Sequence, residues 1–230
     1  MEFLPNGYTL EATEGSFPLS TDSMVLGHWA HLPKNAAVLD FGSGCGTLGL
    51  LLCSKDSRCH VTGLEIDETA HRSAEENIRR NALQDRMVSI CADLKSVSDR
   101  FSPGSFSVCI SNPPYFSGGP ASASLTAARR EDTCAPEDLF RAAGYALKFG
   151  GDFFLVHRPE RLAELIAKGA AHQLEAKKLC LLRHRETGPI TLVLLAFRKG
   201  GKPGLTIEEQ ALFDVSGNPT RFYRQVYHLD

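Results

Sequence analysis

The chain has 230 residues, of which 43% are hydrophobic and 23% are charged, and its formal net charge is −2 at pH 7. These values lie near the averages of globular domains, so they exclude a disordered chain, a collagen and a small disulfide scaffold. No apolar run approaches the roughly 18 residues that a membrane span requires. The seven cysteines form no Cys-x-x-Cys pair and no secretion signal is visible, so we expect reduced thiols in a cytoplasmic, non-membrane protein.

Apolar runs alternate with helical patterns over most of the chain, which predicts β-α-β units and a parallel sheet. Five strands of this alternation are predicted at 36–41, 60–65, 87–91, 106–111 and 152–157. The helices that connect or follow them are predicted at 48–53, 69–81, 136–147 and 159–169. Residues 116–135 are rich in Gly, Ala and Ser and are predicted to form a long loop, a kind of segment that often carries function.

The end of the chain departs from this alternation. Predicted strands at 174–182 and 191–197 flank a Thr187-Gly188-Pro189 turn, which indicates a closing hairpin. We therefore predict one α/β domain over residues 36–200, preceded by the segment 1–35 and followed by an appendage of the same domain at 201–230. Ligands of such domains bind at the carboxyl ends of the parallel strands.

A glycine loop closes the first predicted strand. Asp40-Phe41-Gly42-Ser43-Gly44-Cys45-Gly46 joins this strand to a helix, and glycines at Gly42 and Gly44 allow the backbone to approach a ligand closely. Glu65 ends the next strand, 25 residues after Asp40, where a carboxylate can accept both hydroxyls of a ribose. The combination predicts a nucleoside cofactor.

The details of the loop favour one cofactor over another. A dinucleotide site has Gly-x-Gly-x-x-Gly, but Thr47 stands where the third glycine belongs. Asp40 would repel a pyrophosphate, whereas it suits the ammonium group of a methionine moiety, so we predict S-adenosylmethionine rather than NAD. Asp93 ends the third strand and either accepts the adenine amino group or caps a turn.

Asn112-Pro113-Pro114-Tyr115 follows the fourth predicted strand and is the most specific signal in the chain. Two successive prolines end the strand and stiffen the turn. The carbonyl oxygens of Asn112 and Pro113 can accept the two hydrogens of a planar amino group and orient its lone pair. Tyr115 can stack on a planar substrate, as in proteins that hold unpaired bases. We predict that Asn112, Pro113 and Tyr115 are catalytic.

These motifs together resemble the class I, Rossmann-like S-adenosylmethionine-dependent methyltransferases. The resemblance implies a seven-stranded, mainly parallel sheet with an antiparallel last strand and helices on both faces. It assigns cofactor binding to Asp40, Gly42, Gly44, Glu65, Asp93 and Asn112. The Asn-Pro-Pro-Tyr form belongs to the branch that methylates amino groups.

More narrowly, the chain resembles the bacterial tRNA1(Val) adenine-N6 methyltransferases, which act next to the anticodon. Phe116 after Tyr115 and the segment 20–26 carry this resemblance. It implies that Thr21 and Asp22 close over the cofactor and that Tyr115 and Phe116 bind the base. An alternative for Thr21 is a helix N-cap. The implied partner is an RNA, and a monomer is favoured.

Other functions stay open at this point. Glutamine-N5, DNA adenine-N6 and rRNA guanine-N2 methylation use the same grip on an amine, and a non-catalytic cofactor- or RNA-binding module would keep the fold. Residues 116–230 carry 16 basic and 13 acidic side chains, against 9 and 14 in residues 1–115. This late basic excess is either solvated surface or a phosphate-binding face. His28 and His31 lack further ligands at metal-binding spacing, so no metal is predicted.

Overall fold

The structure, a computed structural model, describes residues 2–4, 7–11, 19–114 and 135–229. Its strands are β1 Glu2–Phe3, β2 Thr9–Leu10, β3 Ala37–Phe41, β4 His60–Glu65, β5 Met87–Cys91, β6 Phe106–Ser111, β7 Leu147–His157, β8 Leu174–Arg185, β9 Ile190–Lys199 and β10 Thr206–Phe213. Its α-helices are α1 Thr21–Trp29, α2 Thr47–Lys55, α3 Glu68–Arg80, α4 Val97–Arg100, α5 Pro136–Ala146, α6 Leu162–Ala171 and α7 Arg221–Val226. Two 3₁₀ turns lie at Leu94–Ser96 and Pro159–Arg161. The predicted loop at 116–135 lies almost wholly outside the described residues.

The main sheet has the strand order β10-β8-β9-β7-β6-β3-β4-β5. Only β9 runs antiparallel to its neighbours β7 and β8, whereas the other pairs are parallel. β9 is the second strand of the predicted hairpin. The predicted α/β fold, a mainly parallel sheet with an antiparallel last strand, is therefore confirmed. Within the described part of the chain, no helix is long and apolar enough to cross a membrane.

The sheet differs from the prediction in its strand number and in two element boundaries. It has eight strands instead of seven, because β10, in the predicted appendage, pairs in parallel with β8. Half of the residues of this edge strand are exposed and one, Leu212, is buried, so its sequence lacks the apolar period of a buried strand. β7 already begins at Leu147, and the predicted helix at 159–169 starts as a 3₁₀ turn.

Side chains alternate along the strands and build one hydrophobic core on each face of the sheet. Val108, Phe154 and Leu194 face a core shared with α1, α2 and α7. Cys109 and Phe153 face a second core shared with α5 and α6. This period of two fixes the register of every central strand, because a slip of one residue would exchange the two cores.

Helix α1 is held at its C-terminal end by distant parts of the chain. The Lys55 ammonium group donates to the carbonyls of His28 (2.5 Å) and Ala30 at its C-terminal end, and burial lowers the pKa of Lys55 to about 8. On the side of β10, the Trp29 Nε1 donates to Glu208 Oε1 at 2.6 Å. The C-terminal residues thus support the helix that approaches the ends of β6 and β7.

Candidate active site

The glycine loop between β3 and α2 turns its backbone toward open space. Gly42 and Gly44 have φ angles of +67° and +55°, values that favour glycine over any other residue. A Cβ atom at either position would meet no atom within 4 Å. The loop therefore leaves an open cradle in front of its backbone, at the carboxyl ends of β3 and β4.

Glu65 at the end of β4 holds this cradle in shape. Its Oε2 accepts the Gly44 N–H at 2.7 Å, and its Oε1 accepts the Asp67 N–H at 2.8 Å. The Leu64 carbonyl accepts the N–H groups of Gly42 (2.9 Å) and Ser43 (3.1 Å). The carboxylate predicted to bind a ribose thus also organises the loop, and each oxygen keeps a lone pair for a further donor.

Asp40 lies beneath the loop and is fully buried. Neither of its carboxylate oxygens has a hydrogen-bond partner within the described part of the chain, and neither has the buried Ser43 Oγ. Burial, with a smaller contribution from the charge of Glu65, raises the pKa of Asp40 well above its usual range. A buried carboxyl group without a partner is costly, which is the condition expected at a site that receives a cationic ligand.

Asn112 follows β6 and faces the N-terminal helix. Its Nδ2 donates to Ser23 Oγ at 3.0 Å, and the Ser20 hydroxyl donates to the same Ser23 oxygen at 3.2 Å. The Ser111 hydroxyl donates to the Phe41 carbonyl at 2.8 Å, which ties the end of β6 to the end of β3. The structure therefore brings Asn112 and Pro113 to the same edge of the sheet as Asp40, Gly42, Gly44 and Glu65. Tyr115 and Phe116 lie outside the described residues.

The N-terminal positions Thr21 and Asp22 begin α1. The cap of this helix is Ser20, whose Oγ accepts the Ser23 N–H at 3.2 Å, so the alternative of Thr21 as the N-cap is wrong. Thr21 Oγ1 instead accepts the Tyr227 hydroxyl at 3.4 Å. Asp22 lies in the first turn of α1. Both residues are placed beside Ser23 and hence near Asn112.

Asp93 caps the 3₁₀ turn after β5. Its Oδ1 accepts the Lys95 N–H at 2.9 Å, so the cap engages one of its two oxygens.

Ile66, next to Glu65, is 49% exposed, which is unusual for a large apolar residue at the end of a buried strand. Ile66 lies directly after Glu65 in the chain, so it is a candidate contact for a ligand held by Glu65, one that the sequence patterns did not single out.

Two buried polar side chains that sequence reasoning did not assign to the site also support it. Ser23, described above, holds Asn112. Asn77 on α3 is fully buried, and its Nδ2 donates to the Cys45 carbonyl in the glycine loop and to the Glu11 carbonyl, each at 3.0 Å. Asn77 thus connects the N-terminal segment to the loop. In the sequence, Asn77 is recognisable as an amide side chain on the apolar face of a predicted helix. Such a position is compatible with a structural role as well as with a role in a site.

The glycine cradle, the buried Asp40 and Asn112 thus lie together at one edge of the sheet, where the sequence motifs predict the site of an S-adenosylmethionine-dependent methyltransferase. The profile of the methyltransferase small domain family matches residues 23–176. The chain belongs to the methyltransferase small domain family, and the predicted class, an S-adenosylmethionine-dependent methyltransferase, is confirmed.

Curated relatives are similar over most of the chain. The tRNA1(Val) (adenine(37)-N6)-methyltransferase of Pectobacterium carotovorum is 34% identical over 80% of this chain and 75% of its own length. The enzyme of the same name from Shewanella halifaxensis is 30% identical over 78% and 72%, respectively.

Solved structures support the fold. A predicted O-methyltransferase from Agrobacterium tumefaciens has a TM-score of 0.76 at 21% identity and covers 90% of this chain and 96% of its own. A methyltransferase from Pyrococcus furiosus has a TM-score of 0.61 at 22% identity, with coverages of 85% and 90%. These identities are low, so the likeness concerns the fold alone.

Proposed function

We propose that this protein methylates the exocyclic N6 amine of an adenine in RNA, and that the RNA is a tRNA methylated next to its anticodon. The observation that carries the proposal is the placement of Asn112. Its carboxamide is fixed through Nδ2 to Ser23 at the edge of the sheet that holds the glycine cradle. The names of the curated relatives support tRNA as the substrate.

The cofactor-binding roles follow from the residues that form the cradle. S-adenosylmethionine supplies an electrophilic methyl group on a sulfonium. Gly42 and Gly44 leave room for it, Glu65 accepts the ribose hydroxyls, and Asp40 offsets the ammonium group. Asp93 accepts the adenine amino group through the oxygen that does not cap the turn.

The N-terminal part completes the pocket in this proposal. Thr21 and Asp22, in the segment 1–35, cover the cofactor, while residues 36–200 form the catalytic domain and residues 201–230 complete it. Ile66 packs on the adenine, since it is the exposed apolar side chain next to Glu65.

Asn112 and Pro113 act on the substrate amine. The amide nitrogen of Asn112 donates to Ser23 Oγ, and in this proposal the carbonyl oxygen of the same carboxamide accepts an amine hydrogen of the substrate. The Pro113 carbonyl accepts the second hydrogen, and Tyr115 and Phe116 stack on the base. This grip orients the nitrogen lone pair and stabilises the charge that develops on nitrogen. The nitrogen then loses one proton to water, so no general base is required.

The direct test is transfer of labelled methyl groups to separate substrates. Total tRNA, rRNA, DNA and a release factor are each incubated with the protein, and the products are analysed as nucleosides or amino acids. We expect N6-methyladenine in tRNA. A tRNA1(Val) transcript is compared with the same transcript carrying guanine at position 37, the position in the relatives' names. Equal labelling of both transcripts, or labelling confined to DNA or to the release factor, would contradict the proposal.

We also infer where and in what state the protein acts. A tRNA substrate implies the cytoplasm, and methyl transfer by this chemistry needs no metal, so activity is expected to persist in a chelator. A monomer is the expected state, which light scattering of the purified protein tests.

A further inference from the structure

Four aromatic rings form a continuous line on the surface near the C-terminus. The ring centroids of His184 and Phe213 are 5.1 Å apart, those of Phe213 and Tyr223 are 5.0 Å apart, and those of Tyr223 and Tyr227 are 4.4 Å apart. His184 is exposed, and the other three rings are half-buried. The line joins the end of β8, the end of β10 and helix α7.

This line of rings ends near the edge of the sheet that holds Asn112 and the glycine cradle. The Tyr227 hydroxyl donates to Thr21 Oγ1 at 3.4 Å, and Thr21 is two residues from Ser23, which binds Asn112. In the sheet, β10 is separated from β6 by β8, β9 and β7, four steps that span about 19 Å. A chain-like ligand that lies along the rings would therefore need only a few of its monomer units to reach Asn112.

Arginines flank the same rings. Arg185 ends β8 opposite Phe213 of β10, Arg221 begins α7, and Arg224 Nη1 donates to the Pro219 carbonyl at 2.7 Å. Arg185 and Arg221 are exposed, and within residues 19–114 and 135–229 neither has an ion-pair partner. Acidic groups also lie nearby: Glu186 follows Arg185, Asp22 lies near Tyr227, and the Asp214 carboxylate already accepts the N–H groups of Ser216 and Asn218.

The amino ends of the parallel strands β7, β8 and β10 carry a second set of cations. Most of these cations are lysines, and two of them already donate hydrogen bonds to backbone carbonyls. Lys199 Nζ donates to the Leu147 carbonyl at 2.6 Å, and Lys177 Nζ donates to the Lys202 carbonyl at 2.8 Å. Lys148 and Lys202 are exposed and, in the part of the chain that the structure describes, their ammonium groups have no partner. They provide a matched set of charges far from Asn112.

We propose that the four rings with Arg185, Arg221 and Arg224, the arginine face, are the surface on which the RNA substrate docks, with its phosphates on the arginines. The inference rests on the proposed function. Arginine binds phosphate through two parallel hydrogen bonds and stacks on planar groups, and aromatic rings beside it stack with bases in single-stranded regions. The lysines at the amino ends of β7, β8 and β10 attract RNA only through their general charge.

The experiment compares two double variants with equal loss of charge. Arg185→Gln/Arg221→Gln removes the unpartnered arginines, and Lys148→Gln/Lys202→Gln is the control. Binding of an unmodified tRNA1(Val) transcript is measured by fluorescence anisotropy between about 50 and 200 mM salt. We expect the arginine variant to bind about tenfold more weakly and its log–log salt slope to fall by about two. The lysine variant is expected to stay within about twofold of the parent.

Thermal melts and S-adenosylmethionine titrations of both variants accompany the binding curves, and both are expected to match the parent because the four side chains are exposed. The proposal is overturned if the lysine variant loses as much RNA affinity as the arginine variant, or if the arginine variant binds like the parent. Failure of the proposed function is distinct, because then the parent itself transfers no methyl group to tRNA. A parent that methylates tRNA, with an arginine variant of unchanged affinity, refutes the arginine face alone.

Discussion

The two halves of the candidate site are held together in different ways. In the cofactor half, Gly42, Ser43 and Gly44 donate to Leu64 and Glu65 of the adjacent strand, so the bonds that shape the glycine loop lie within one β-α-β unit, and Asn77 of α3 joins the loop to the N-terminal segment. In the substrate half, Asn112 depends on Ser23, 89 residues earlier, and Thr21 contacts Tyr227, 206 residues later. The loop of the cofactor half is therefore shaped mainly by local bonds, whereas the substrate half depends on contacts with both ends of the chain.

The largest effect is expected in the substrate half, from Asn112→Ala. The side-chain carbonyl acts as the amine nitrogen becomes tetrahedral, so its loss falls on kcat, by about 10²–10³. The thermal midpoint and S-adenosylmethionine affinity are expected to stay near those of the parent. Asn112→Asp keeps an acceptor and is expected to be less damaging. Methyl-transfer assays, calorimetric titration and melts on the same preparations make the comparison.

The opposite pattern would show that Asn112 only ends a strand. In that case stability, cofactor affinity and activity of Asn112→Ala fall together. If the Asn112→Ala variant folds, binds the cofactor and still methylates at nearly the parental rate, Asn112 does not orient the substrate amine.

The second effect is expected in the cofactor half, from Glu65→Ala. Two hydrogen bonds from a ribose to a charged group contribute about 1.5–3 kcal/mol, so S-adenosylmethionine affinity is expected to fall about ten- to hundredfold. The N–H groups of Gly44 and Asp67 also lose their acceptor, so the melting temperature is expected to fall, unlike that of Asn112→Ala.

Glu68→Ala is the matched control for Glu65→Ala. Glu68 is an exposed carboxylate on the adjoining helix, paired with Arg72. Exposed pairs of this kind contribute little, so its removal is expected to leave both binding and melting unchanged. Unchanged cofactor affinity in Glu65→Ala would exclude Glu65 from the site.

The same division explains what the sequence could predict. The glycine loop and Glu65 were recognisable because their positions follow from strand ends in one β-α-β unit. Ser23 was not, because a serine in a short helix gives no sign of which residue it will contact 89 positions later. β10 was missed for a related reason: an edge strand with exposed side chains has no apolar period, and only its pairing with β8 defines it.

Asp40 provides a second test of the cofactor half, one that depends on pH. Burial raises the pKa of Asp40, so the folded state favours the protonated carboxyl. Its contribution to stability is then fully present below the ordinary carboxyl pKa and is lost as pH rises through the raised value, with a slope of at most about 1.4 kcal/mol per pH unit. Without cofactor, Asp40→Asn is expected to be more stable than the parent at pH 8, and less so or not at all at pH 5.

Urea unfolding at several pH values measures this difference, with the exposed Asp99→Asn as the control. Asp40→Asn is also expected to bind S-adenosylmethionine more weakly, because a neutral amide does not offset the ammonium charge. Stability curves of parent and Asp40→Asn that stay parallel from pH 5 to pH 8 would show that the buried carboxyl carries no such cost.

The smallest effect is expected from Ser23→Ala. This variant also gives the most specific test of how the substrate half is assembled. This change removes the acceptor of the Asn112 Nδ2 bond, and one neutral hydrogen bond contributes about 0.5–1.5 kcal/mol. We expect kcat to fall about three- to tenfold with cofactor affinity unchanged, and Ser23→Thr to restore it. Ser20→Ala is the control: it removes the helix cap and the Ser20 donor to Ser23 Oγ, at a cost of about 0.5–2 kcal/mol in stability, but it keeps the Ser23 oxygen that accepts from Asn112. If Ser23 only stabilises α1, both alanine variants will melt earlier and neither will lose kcat. A loss of kcat confined to Ser23→Ala instead means that a helix from the N-terminus aligns the residue that grips the substrate.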